Sequence, residues 1–111
     1  MISITNELYD LIYKNSVWPQ DLLENLKDPD YLSVKFDSYL QGTMAEVVFL
    51  DEGKKIIANY FFNSKGLVQK IEMIENESVF TVYSRIDEIA KLLLKTDNIH
   101  CLQEIVNLIA A

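Results

Sequence analysis

Four turn signals break the stretch from Tyr31 to Tyr83 into five short segments rich in apolar residues. They are Gln41-Gly42, Glu52-Gly53, the Asn63-Ser64-Lys65-Gly66 cluster and Asn76-Glu77. Gly reaches the positive φ of tight hairpin turns without a steric cost, and Asn, Asp and Ser tolerate the same region. Connections this short join only antiparallel neighbours, so the stretch predicts a five-stranded meander in sequential order.

Two-residue loops at these turns set a register. They pair Asp37 with Glu46, Glu46 with Asn59, Asn59 with Glu72 and Glu72 with Thr81. Side chains alternate between faces, so the register also sorts the residues by side. One face collects Val34, Phe36, Leu40, Ala45, Val47, Phe49, Ile56, Ala58, Tyr60, Phe62, Leu67, Ile71, Met73, Phe80 and Val82, with Ser38 and Gln69 as its polar members. That is the predicted core face. The other face carries the lane Asp37, Glu46, Asn59, Glu72, Thr81. A row of Tyr39, Met44, Phe61, Lys70 and Tyr83 flanks it on one side, and Lys35, Val48, Ile57, Ile74 and Val79 on the other. A solvated sheet face is normally dominated by charged residues and Thr, whereas apolar and aromatic residues are about as common here as polar ones.

Helical patterns flank the strands. Ser3 or Thr5 can cap a first helix whose Leu8, Leu11 and Ile12 form an apolar stripe, ending at Asn15-Ser16. Pro19 suits the first turn of a short helix to about Lys27, with Leu22, Leu23 and Leu26 inward, stopped by Asp28-Pro29-Asp30. Trp18 reads as a plug between these helices and the sheet. After the strands, Ser84 and Asp87 resemble a capping box ahead of a helix bearing Ile86, Ile89, Ala90 and Leu93 and ending near Lys95. Thr96 or Asp97 restarts a last helix with Ile99, Leu102, Ile105, Val106 and Ile109. The predicted fold class is α+β: one domain spanning residues 1–111, in two layers, with the N-terminal and C-terminal helices on one face of the meander.

The charge of −7, from 17 acids against 10 bases, lacks the clustered cations that a nucleic-acid or anionic-membrane surface needs. Cys101 is the sole cysteine, so one chain can form neither a disulfide framework nor a thiolate metal cluster. The N-terminus shows no basic segment followed by an apolar run, and no apolar stretch approaches the ~18 residues of a membrane span. Together these features predict a cytoplasmic location.

No catalytic motif is visible. His100 and Cys101 are adjacent, and neighbouring helical positions point about 100° apart, so they cannot form a nucleophile and its base. Asp97, His100 and Cys101 read as a capping Asp, a surface His and a buried Cys. The carboxylates show no zinc or calcium spacing, and the three glycines are too dispersed for a phosphate loop. No cofactor is predicted.

In overall character the chain resembles the small acidic immunity proteins that neutralise contact-dependent growth-inhibition and related polymorphic toxins. The resemblance rests on size, acidity, cysteine usage and the helix, meander, helix order around Ile56-Ile57-Ala58-Asn59-Tyr60-Phe61-Phe62. It carries over no individual residue. It implies a non-enzymatic inhibitor that occludes the active site of a cognate, basic toxin domain such as a nuclease. The expected contact surface is Asp37, Tyr39, Glu46, Asn59, Phe61, Glu72 and Tyr83, with the acidic segment from Asp21 to Asp30 as the other place to look. Two further readings stay open, an acidic secretion chaperone and a small acid/base enzyme using the sheet carboxylates. Monomer and dimer are both compatible with the sequence.

Overall fold

A computed structural model describes residues 6–109, so the expected caps at Ser3 and Thr5 lie outside the described residues. The fold is α+β. Helix α1 (Asn6–Tyr13) and a short α2 (Asp21–Glu24), continued by a 3₁₀ turn Asn25–Lys27, precede strands β1 (Tyr31–Tyr39), β2 (Gly42–Asp51), β3 (Lys54–Phe62), β4 (Val68–Glu75) and β5 (Ser78–Ser84). Helix α3 (Arg85–Lys95), a 3₁₀ turn Ile99–Cys101 and α4 (Leu102–Ile109) follow. The strands form one antiparallel sheet in the order β1-β2-β3-β4-β5, as the turn spacing predicts. No helix among the described residues is long and apolar enough to cross a membrane.

The first turn is not where the glycine marks it. Tyr39 pairs with Gly42, so the loop is Leu40-Gln41, and Leu40 takes the positive φ of 52°. Gly42 is instead the first residue of β2. A Cβ there would lie 1.9 Å from the Phe62 carbonyl oxygen, so this glycine answers a close backbone approach rather than a turn conformation. The loop therefore sits one residue earlier than expected, and the β1–β2 pairing moves by two. Asp37 faces Met44, not Glu46, and Glu46 faces Lys35. A shift of two keeps the parity, so each side chain stays on its predicted face. The pairs Glu46–Asn59, Asn59–Glu72 and Glu72–Thr81 stand as expected.

Bulges change the parity near the strand ends. One lies at Leu32, between the pairs Tyr31–Phe49 and Ser33–Val48, and turns Tyr31 onto the core face, where it stacks on Phe49 at 5.1 Å. Another at Val82 separates Ile71–Tyr83 from Glu72–Thr81. It rotates Tyr83 off the face where the uninterrupted register places it and packs it against the sheet core. Val82 itself is exposed.

The apolar residues gather in two clusters. The first lies on the sheet, where Leu22 of α2 covers Ala45, Val47, Ala58, Phe62 and Val68, with Val17, Tyr60, Ile71 and Met73 around them. The second is built from helices: Leu8 and Ile12 of α1, Ile89, Leu92 and Leu93 of α3, and Ile105 and Ile109 of α4. The molecule is accordingly elongated, 48 × 25 × 23 Å. Phe36 and Phe80, expected in the core, lie on the outer strands and are exposed, Phe36 by 42%. Leu40, also expected inside, stands at the hairpin tip and is 89% exposed. Trp18 is half-exposed and rests against Gly66, so it covers the β3–β4 turn rather than plugging the interior.

Polar side chains join the two clusters. Arg85, the chain's only arginine, is 1% exposed. Its Nε donates to the Val68 carbonyl at 2.8 Å, and its Nη1 donates to the carbonyls of Leu11, Ile12 and Lys14 at 2.8, 3.2 and 2.9 Å. These are the open carbonyls at the end of α1, where a cation suits the helix dipole. Burial pushes the guanidinium pKa below its ordinary value. Asn15 Nδ2 donates to the Gly66 carbonyl, and Asn63 Nδ2 donates to the carbonyl of Ile109. The helices are thereby tied to the end of the sheet that carries the β3–β4 turn.

Candidate functional site

The face opposite Leu22 is the candidate binding surface, and the observed register redraws it. One lane crosses all five strands as Lys35, Glu46, Asn59, Glu72 and Thr81. Asp37 leaves the expected lane and joins the neighbouring row with Met44, Phe61 and Lys70. A third row, Val48, Ile57, Ile74 and Val79, is aliphatic.

The three carboxylates have different neighbours. Glu72 accepts from Lys70 Nζ at 2.6 Å, and this hydrogen bond raises the Lys70 pKa. Glu46 lies across from Lys35, an opposite-charge pair of the kind that stabilises neighbouring strands. Asp37 accepts from the Ser38 backbone N–H at 2.8 Å. Asn59 lies between Glu46 and Glu72, and its covered Oδ1 accepts no hydrogen bond from the described residues. Tyr83, turned by the bulge, belongs to the opposite face.

The apolar part is better organised than the acidic part. Tyr39 and Phe61 lie on strands separated by β2, yet their rings meet edge-on, with centroids 5.0 Å apart and planes at 61°. Gly42, opposite Tyr39, presents no side chain between them, so the close approach that requires this glycine also brings the rings into contact. The pair borders an apolar cavity of about 340 Å³, walled on the helical side by Ile86 of α3 and Val106 and Ile109 of α4, with Leu40 at its edge. Asp37, Glu46 and Glu72 are not among the residues lining it. A bulky residue at positive φ is an outlier, so Leu40 combines local strain with near-complete exposure at this rim.

The sequence pattern missed Leu40, Ile86, Val106 and Ile109 as site residues, since each reads equally well as core. Their apolar spacing was visible, but which of them would border solvent was not. His100 is exposed and Cys101 buried, each on the 3₁₀ turn before α4. Among the described residues, no group of three or more His, Cys, Asp and Glu side chains comes together to hold a metal ion.

Neither a scan against protein-family models nor searches of curated proteins and of solved structures returns a match for this chain.

Proposed function

We propose that this chain is a protein-binding inhibitor of the immunity type, which neutralises a cognate toxin domain by covering its active site with the sheet face that bears Tyr39, Met44 and Phe61. The observation that carries the reading is the Tyr39–Phe61 contact beside the apolar cavity. Aromatic anchors next to a cavity and rimmed by charged residues match the anatomy of specific protein interfaces. The formal charge of −7 supports a basic partner. Lys35 and Lys70 already neighbour Glu46 and Glu72, so cations of the partner must compete with them. The aromatic end therefore supplies most of the affinity, and the acids chiefly steer association.

Titration of the purified chain against the purified product of a neighbouring toxin reading frame, with that toxin's activity followed in parallel, tests the reading. Wild-type protein should bind and abolish the activity. Tyr39→Ala and Phe61→Ala should weaken binding by about tenfold or more. Asp37→Lys should slow association most at low salt. Binding that leaves the toxin active would end the inhibitor reading. Inhibition untouched by both aromatic substitutions would move the interface elsewhere, first to the segment from Asp21 to Asp30.

A further inference from the structure

Strand β1 is an outer strand, so one side of its backbone faces away from β2. In an antiparallel ladder, alternate residues exchange hydrogen bonds with the neighbouring strand and those between them point outward. The Ser38 N–H fixes the phase, because it donates to its own chain's Asp37 carboxylate rather than into β2. Pairing is regular from Ser33 to Tyr39, so the outward residues are Ser38, Phe36 and Val34. No proline interrupts the strand, and its exposed apolar residues include Leu32, Phe36 and Tyr39. Such an edge is a template for another strand. The opposite edge differs, since the Val82 bulge disrupts β5.

We propose that β1 pairs antiparallel with β1 of a second copy, about a two-fold axis at Phe36, to give a continuous ten-stranded sheet. Charge selects this register. Centring the axis on Lys35 opposes lysine with lysine, and centring it on Asp37 opposes aspartate with aspartate. Centring it on Phe36 sets Lys35 of each copy against Asp37 of the other, on the same sheet face and in the closely spaced, non-hydrogen-bonded positions. The outward backbone groups agree with it. Phe36 exchanges bonds with Phe36 of the other copy, and Val34 exchanges with Ser38 of the other copy. The Ser38 N–H passes from the Asp37 carboxylate to the Val34 carbonyl of the other copy, which frees Asp37 for Lys35. The same register brings exposed Leu32 of one copy level with exposed Leu40 of the other.

Sedimentation velocity on the isolated full chain tests the pairing without any toxin, so its outcome is separate from that of the inhibitor reading. Wild-type protein should sediment at twice the chain mass and dissociate on dilution. Ser38→Pro should be monomeric, because its N–H serves the outer edge and not the β1–β2 ladder, and circular dichroism should show the fold retained. Asp37→Lys, which faces Met44 within its own chain, should weaken the dimer by about tenfold through the two charge pairs it reverses. Mild oxidation of a mixture of Lys35→Cys and Asp37→Cys proteins should give the mixed disulfide in preference to either homodimer. A wild-type monomer at every concentration overturns the proposal. So does a dimer indifferent to a folded Ser38→Pro variant, or crosslinking in the homodimers alone.

Discussion

Arg85 and Asn15 divide the backbone of one residue between them. Arg85 Nε donates to the Val68 carbonyl at 2.8 Å, and Asn15 Oδ1 accepts from the Val68 N–H at 2.8 Å. The two side chains approach each other at 3.5 Å, from Nη2 to Oδ1. Val68 opens β4, Asn15 follows α1 and Arg85 opens α3, so three distant segments meet at one peptide. The apolar clusters on either side contribute burial but little direction, whereas these hydrogen bonds set the angle at which the helices leave the sheet.

Removing the guanidinium should be costly. Arg85→Ala leaves the Val68, Leu11 and Lys14 carbonyls without this donor, and should lower stability by at least about 3 kcal/mol. Arg85→Lys keeps the charge but has no planar fork to span the end of α1 and β4 together, so most of the loss should persist. Urea midpoints measure both. A lysine variant within about 0.5 kcal/mol of wild type would show that charge alone suffices.

Core truncations should follow the observed burial rather than residue size. Leu22→Ala, beneath the sheet cluster, should cost about 3 kcal/mol. Phe36→Ala on the exposed edge should cost about 1–2 kcal/mol in dilute protein, where any self-association is absent. The reverse order would restore Phe36 to the core.

Two glycine substitutions separate turn conformation from close approach. Gly42→Ala should destabilise by about 1–3 kcal/mol, since its Cβ meets the Phe62 carbonyl at the backbone of β3. Glu77→Gly should do the opposite. Asn76 and Glu77 both have positive φ, at 51° and 66°, and Asn-Gly is the favoured pair for such a turn. A gain of about 1 kcal/mol is expected, read as a higher thermal midpoint. Asp97, at φ 60° behind α3, should respond to glycine in the same direction.

Stability should decline at alkaline pH. Burial raises the Tyr60 pKa, with Tyr31 adding to it, and the hydrogen bond to Glu72 raises that of Lys70. Both groups hold their protons more tightly folded than unfolded. Their contribution is thus fully present below the unfolded values of 10.0 and 10.5, and is lost as pH rises through the folded ones. Tyr60 should dominate, because Lys70 is largely solvated. Thermal midpoints of wild type and Tyr60→Phe between about pH 8 and 11 measure this, with the phenylalanine variant losing less. Parallel curves would remove Tyr60 as the cause.

The sequence by itself determined the elements and their order. Turn residues at Glu52-Gly53, the Asn63 to Gly66 cluster and Asn76-Glu77 mark hairpins through local backbone chemistry, and period-two alternation assigns faces within regular strands. The Ser84 cap of α3 was legible for the same reason, since its Oγ accepts from the Asp87 N–H three residues on. What tertiary structure alone decided was non-local. Whether Gly42 serves a turn or a close contact depends on β3, which begins twelve residues later, and that choice set which residue faces Asp37. The bulge that removes Tyr83 from the candidate surface has no signature in alternation, because one extra residue flips parity only once a partner strand is in place. Within its own stretch of sequence Arg85 is one cation at the start of an amphipathic helix. It becomes a buried junction because the carbonyls it satisfies come from a helix more than seventy residues earlier in the chain and a strand seventeen residues back, a convergence that no local window contains.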